Sequence, residues 1–181
     1  MKEYWHFEEA EYLAEKGDPD AQLYLAMAYF DGHLVTRNVL LAMMWLRRAA
    51  AQGHAEALYQ MAVSYHEGRG IRKNEAKGVE WCRKAAESGY EDAMCFMMHA
   101  HICGHFVEKN FAEAARWLQM AVDHGNVDAC YMLGMAYYDG SIVKQDRAKA
   151  IELFKKAADE GHNDAMEVLR ELRKNGEVPD A

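Results

Sequence analysis

Small and apolar residues between residues 18 and 52 follow two helical patterns separated by a polar turn. The first pattern places them three or four residues apart, at Ala21, Leu25, Ala26 and Tyr29. The second pattern has its stripe at Ala42, Trp45, Leu46, Ala49 and Ala50. Because this spacing puts each set on one face of a helix, the sequence predicts a helix A to about Asp31 and a helix B after Asn38.

The same pattern recurs every 36 residues along the chain. One column of the repeat is glycine, at Gly17, Gly53, Gly89, Gly125 and Gly161. Another is alanine, at Ala21, Ala57, Ala93, Ala129 and Ala165, and a third is tryptophan at Trp45, Trp81 and Trp117, with Leu153 in the fourth copy. A period of this length is typical of all-α repeat proteins.

We therefore predict about ten helices in a single repeat domain over residues 1–175, followed by a polar tail at 176–181. The domain consists of a half-repeat at 3–16, full repeats at 17–52, 53–88, 89–124 and 125–160, and a half-repeat at 161–175. The half-repeats should present polar outer faces, as the ends of a repeat array must.

Residues at the helix ends agree with this assignment. Asp18 suits an N-cap and Pro19 the first helical position. Gly32 can adopt the left-handed conformation that ends helix A. Asn38 and its equivalents should cap helix B, and Gly53 should end it.

The fourth repeat carries a family resemblance. Its motif residues are Ala129, Leu133, Gly134, Tyr137 and Gly140, then Val143, Asp146, Lys149 and Ala150. This pattern resembles the SEL-one-like repeat (SLR) family, a relative of tetratricopeptide repeats, over about residues 17–175. The resemblance implies a right-handed α/α superhelical solenoid that acts as an adaptor or scaffold, frequently in bacteria. The departures from the pattern are Gly78, His101 and Leu153.

The acidic composition narrows the class of partner. The formal net charge is −8, whereas proteins that bind nucleic acid usually carry a basic face. We expect no nucleic acid, and a protein or peptide segment of apolar or basic character instead. No apolar run is long enough for a membrane span, and the four cysteines form no CxxC pair. We expect a cytoplasmic monomer, unless a leader has been removed.

By resemblance to tetratricopeptide arrays, helix A lines a concave surface where a partner binds. The candidate contact residues are Leu23, Met27, Phe30, Tyr59, Val63, His66, Cys95, His99, Ile102, Tyr131, Met135 and Tyr138. Tyrosine and methionine are common at binding surfaces. The alternative is that these positions only contact the neighbouring helix A. Lysine and arginine are absent from these columns of helix A.

The third repeat invites a metal interpretation, because Cys95, His99 and Cys103 lie on one helix face. However, eight residues of helix rise about 12 Å, so the two thiols cannot bind one zinc ion at about 2.3 Å each. A metal site formed by two of these side chains and His66 is the alternative, but we predict no metal and no cofactor.

The resemblance implies that, in cysteine-rich relatives, the disulfide of a Cys-x7-Cys pair joins the end of helix B to the next helix A. Here Cys95 and Cys103 have that spacing within one helix, and Cys130 has Val122 at the partner position. We predict no disulfide.

A catalytic motif is also incomplete. Ser141 and Lys144 match the Ser-x-x-Lys motif of penicillin-recognising enzymes, but neither Ser-Asp-Asn nor Lys-Thr-Gly accompanies them. The sequence therefore predicts a non-catalytic adaptor that binds a partner segment. An immunity or regulatory inhibitor that occludes a toxin or effector remains an alternative, and a β-lactam-hydrolysing enzyme ranks last.

Overall fold

The computed structural model describes residues 6–177, and these residues form ten helices and no strand. The helices that correspond to helix A are α2 (Pro19–Asp31), α4 (Ala55–Glu67), α6 (Glu91–Cys103), α8 (Val127–Asp139) and α10 (Asn163–Lys174). Those that correspond to helix B are α1 (Phe7–Glu15), α3 (Val39–Ala51), α5 (Glu75–Glu87), α7 (Phe111–Asp123) and α9 (Arg147–Asp159). The all-α class, the 36-residue period and the number of about ten helices are confirmed. The two terminal half-repeats stay a prediction, and the predicted start of the first at residue 3 and the end of the tail lie outside the described residues.

The helices form two compact units, one up to Ala93 and one from Met94 onwards. In the first unit α1 packs on α2, α2 on α3, α3 on α4 and α4 on α5. In the second unit α7 packs on α8, α8 on α9 and α9 on α10. The core of each unit consists of the alanine columns and large apolar residues such as Leu25 and Leu46, or Leu133 and Phe154. The assignment of one repeat domain to residues 1–175 stays a prediction.

Local sequence accounts for the helix boundaries. The side chain of Asn38 accepts hydrogen bonds from the backbone N–H groups of Leu40 and Leu41, which have no carbonyl partner in the first turn of α3. Gly32 ends α2 with φ 72°, a conformation that glycine adopts without steric cost. These predicted caps are therefore confirmed.

The core of the second unit includes one close helix–helix approach. Gly134 in α8 faces the ring of Phe154 in α9, and a Cβ atom at Gly134 would lie 2.6 Å from Phe154 Cε1. Phe154 is fully buried. The absence of a side chain at Gly134 therefore makes room for the large ring.

Candidate functional site

The second unit presents a strip of three predicted contact residues on α8. Tyr131, Met135 and Tyr138 are separated by four and three residues, which places them on one face of the helix. All three are half-buried and pack against the core around Phe154. The Phe154 ring lies 5.9 Å from that of Tyr131 and 6.3 Å from that of Tyr138. One side of the strip therefore packs on the core, and the other side is accessible to solvent.

Tyr131 also stacks on His162, the residue before α10. Their ring centroids are 4.6 Å apart with an interplanar angle of 22°. His162 Nδ1 accepts a hydrogen bond of 3.2 Å from the backbone N–H of Ala165. With Nδ1 as the acceptor, the ring hydrogen lies on Nε2, which is 3.4 Å from Asp128 Oδ1. One imidazole thus caps α10, supports Tyr131 and faces the first turn of α8.

The first unit repeats part of this arrangement on α4. Tyr59 and Val63 are half-buried and His66 is exposed. The ring of Tyr59 lies 4.9 Å from that of Tyr90, at the position equivalent to His162. Burial raises the pKa of Tyr90 to about 12, with further contributions from the charges of Glu56 and Asp92, from Tyr59 and from a hydrogen bond to Asp92. Burial likewise raises the pKa of Tyr59, so both phenols are neutral at physiological pH.

Two predicted contact residues of the first repeat are buried. Leu23 and Phe30 are only 3% and 2% exposed, whereas Met27 in the same helix is half-buried. The guanidinium of Arg69 lies 4.0 Å above the Phe30 ring and donates a 2.8 Å hydrogen bond to Asp31 Oδ1. Leu23 and Phe30 therefore offer almost no surface to a partner. Arginine is absent from the helix A columns, but the turn after α4 supplies one.

The third repeat differs from its neighbours. On α6, Cys95 and Ile102 are half-buried and His99 is exposed. His101, in the tyrosine column, is buried with its Nδ1 3.2 Å from the carbonyl oxygen of Glu108. Within residues 6–177, no three histidine, cysteine or acidic side chains are grouped so that they could hold a metal ion.

All four cysteines lie in the described part of the chain, and none forms a disulfide. Cys82 is buried, with its Sγ 3.8 Å from the carbonyl oxygen of Ala93, and burial raises its pKa to about 12. Burial also raises the pKa of Cys130. The charge of Lys156 lowers this pKa and the charge of Glu160 raises it, both by smaller amounts. Cys82 is therefore a protonated core residue at physiological pH.

The Ser-x-x-Lys match lies in the exposed turn between α8 and α9. Ser141 and Lys144 are both exposed, and the backbone N–H of Ser141 donates a 2.9 Å hydrogen bond to Asp139 Oδ1. The contact belongs to the geometry of the turn. A serine nucleophile needs a positioned base, and the contacts of Ser141 supply none.

The caps of most A-type helices were not predicted from the sequence. His54 Nδ1 accepts from the N–H of Ala57 at 3.2 Å, and its Nε2 lies 2.9 Å from Asp20 Oδ1. Asn126 caps α8 in the same column at 2.7 Å from the N–H of Ala129. The sequence signal for these caps is the column of residues that begins with Asp18 and repeats every 36 residues. Histidine was overlooked because its ring is an uncommon capping group.

Comparisons with known proteins agree with the repeated pairs of helices. Four consecutive segments match the model of the Sel1 repeat, at residues 19–54, 55–90, 92–126 and 127–162. These boundaries lie two or three residues from the predicted repeats. No curated protein matches the chain. None of the described helices has the length and apolar character needed to cross a membrane.

Two solved structures are similar over most of the chain. A Sel1 repeat protein from Oxalobacter formigenes is 33% identical over 92% of this chain, with a TM-score of 0.82. A protective antigen present in uropathogenic Escherichia coli strains, which displays an SLR fold, is 32% identical over 96% of the chain, with a TM-score of 0.78. This chain spans 48% of the first protein and 37% of the second.

Proposed function

Because the chain belongs to the Sel1 repeat family, whose members generally mediate protein–protein interactions without catalysis, we propose that it is a non-catalytic adaptor that holds a segment of another protein against its A-type helices. The observation that carries this proposal is the supported strip of Tyr131, Met135 and Tyr138 on α8. Its side chains are ordered by the core beneath them, so a partner would lose little conformational freedom in ordering them.

The chemistry of the strip favours an apolar or amphipathic partner. Tyrosine combines a large apolar ring with a hydrogen-bonding hydroxyl and is enriched among residues that dominate binding energy. Methionine adapts its shape to irregular apolar surfaces. A partner segment with alternating apolar and polar side chains would satisfy both.

The charge around the A-type helices supports a partner with basic residues. Exposed carboxylates lie at both ends of these helices, at Asp20, Asp31, Asp92, Asp128 and Asp139 among others. The chain as a whole carries a formal charge of −8. A basic segment would be attracted towards the molecule before it made contact.

The test is affinity capture from the native host, followed by binding measurements with the recovered partner. Met135→Lys places a positive charge in the centre of the strip on α8. We expect it to weaken binding at least tenfold, because about 1.4 kcal/mol corresponds to a factor of ten. The far-ultraviolet circular dichroism spectrum should stay unchanged, since Met135 is half-exposed.

Gln119→Lys is the matched control. It makes the same change in net charge at an exposed position on α7, where Gln119 Nε2 donates a 2.9 Å hydrogen bond to Asp123 Oδ1. Binding should remain at the unmodified level. If Met135→Lys and Gln119→Lys retain the same affinity, the strip on α8 is not the contact surface.

A further inference from the structure

The second unit contains a cavity of about 150 Å³ between α6, α7 and α8. Its wall is mainly apolar and includes Met98, Leu118 and Met132. The half-buried Cys95 and the exposed Asp128 also line it, so part of the cavity reaches the surface. A cavity of about this volume in a protein core can bind a benzene ring.

The repeat pattern explains why space is left at this position. In the repeats on either side, a ring on helix A contacts a ring just before the next helix A: Tyr59 meets Tyr90 at 4.9 Å, and Tyr131 meets His162 at 4.6 Å. In the third repeat the equivalent residues are Cys95 and Asn126, and both line the cavity. Two smaller side chains stand where the neighbouring repeats have an aromatic pair.

The wall of the cavity also contains an unsatisfied hydrogen-bond donor. Trp117 is 1% exposed and lines the cavity. Among the described residues, its Nε1 is buried without a hydrogen-bond partner. A buried donor without an acceptor is costly, and native proteins contain few of them. The site therefore offers an apolar, ring-sized space with Trp117 in its wall, and the buried N–H of this residue lacks an acceptor.

We propose that this cavity receives a tyrosine side chain of the bound protein segment. The aromatic ring occupies the cavity that Cys95 and Asn126 help to line, at the positions where the adjacent repeats have their own ring pairs. The phenolic oxygen accepts the hydrogen bond from Trp117 Nε1. This inference rests on the adaptor function and specifies one anchor residue of the partner.

Phenol is a probe for the cavity that needs no partner. We expect phenol to bind the full chain in the millimolar range, as befits a ligand of seven heavy atoms. Binding should shift the Trp117 indole N–H signal in a saturable manner in ¹H–¹⁵N spectra, with the assignment made from Trp117→Phe. Benzene should bind about tenfold more weakly, because it lacks the acceptor. Absence of a saturable shift of this signal would overturn the proposal.

Cys95→Tyr should fill the cavity from within, as Tyr59 and Tyr131 do in their repeats. We expect it to abolish the phenol-induced shift, raise the melting temperature and weaken partner binding about tenfold. Cys103→Ala, at an exposed position on the same helix, should change none of these. Should Cys95→Tyr fail to fold, Trp117→Phe provides the second test, since it should remove the preference for phenol over benzene.

The two proposals fail in different ways. If phenol binds but Cys95→Tyr leaves partner affinity unchanged, the cavity does not hold a partner tyrosine. If the phenol shift is absent while Met135→Lys still weakens partner binding, the adaptor proposal stands without this anchor. If phenol binds as expected and neither Met135→Lys nor Cys95→Tyr affects a recovered partner, contact through the strip on α8 is excluded along with the anchor.

Discussion

Tyr131 of α8 stacks on His162, which caps α10, at a centroid distance of 4.6 Å. The contact joins two residues 31 positions apart, one in α8 and the other at the N-cap of the next A-type helix, α10. The imidazole is held by the backbone of α10 on one side and faces Asp128 on the other. A residue predicted to contact a partner therefore also supports the packing between repeats, and its contact with a partner stays a prediction.

His162→Ala should destabilise the protein more than His162→Asn. Alanine removes both the capping acceptor, worth about 1 kcal/mol, and the ring contact, worth about 0.5–1.5 kcal/mol. Asparagine keeps the acceptor, as Asn126 does in α8. Urea unfolding should give a loss of about 2 kcal/mol for alanine and about 1 kcal/mol for asparagine. Equal losses would show that the cap contributes nothing.

Gly134→Ala should destabilise the protein although alanine favours helices. The new Cβ would lie 2.6 Å from the buried Phe154 ring, and overpacking of this kind costs about 1–3 kcal/mol. Combining it with Phe154→Leu, which removes the obstructing atoms, should cost less than the sum of the single variants. Additive free energies of unfolding in this double-mutant cycle would contradict the steric explanation.

Thiol reagents should distinguish the cysteines. Cys103 is exposed, whereas Cys82 is buried and its pKa is raised to about 12. Because the thiolate is the reactive form, Ellman's reagent at pH 8 should label Cys103 quickly and Cys82 only after unfolding. Cys103→Ala should remove the fast phase. A fast phase that persists in this variant and maps to Cys82 by mass spectrometry would refute the prediction.

Stability should fall at alkaline pH. Burial raises the pKa of Cys82 from 9.0 to about 12, so between these values the unfolded chain loses a proton that the folded protein keeps. This contribution is complete below about pH 9 and is lost as the pH rises towards 12. Cys82→Ala should therefore show a shallower decline of the urea midpoint between pH 9 and 11. An unchanged slope would contradict the raised pKa.

Tyr90 should be among the last tyrosines to ionise. Burial, followed by the negative charges of Glu56 and Asp92, raises its pKa from 10.0 to about 12. In a titration followed at 295 nm, Tyr90→Phe should remove absorbance from the high-pH end of the curve. Tyr12→Phe, at a residue that is 61% exposed, is the control for the loss of one phenol. Loss from the low-pH end in Tyr90→Phe would be the contrary result.

Much of the helical framework follows from local sequence. Asn38 and its equivalents cap the B-type helices because their side chains accept hydrogen bonds from backbone N–H groups of the first turn. Gly32 and its equivalents end the A-type helices because glycine adopts the left-handed conformation without steric cost. The candidate surface was less predictable. Phe30 fits the apolar column of helix A, but Arg69 covers it from the turn after α4, 39 residues later. A helical period specifies which face a residue is on, but not which side chain from another repeat covers that face.

The sequence by itself determined the helices and their 36-residue period, since caps, glycines and apolar spacing act over a few residues. Only the tertiary structure decided which residues in each column of helix A are buried and what they contact. It buried Leu23 and Phe30, stacked Tyr131 on His162 and left a cavity beside Cys95. The physical reason is that side-chain packing depends on the volume of the facing residue in the next repeat. That residue changes from copy to copy while the backbone period stays the same.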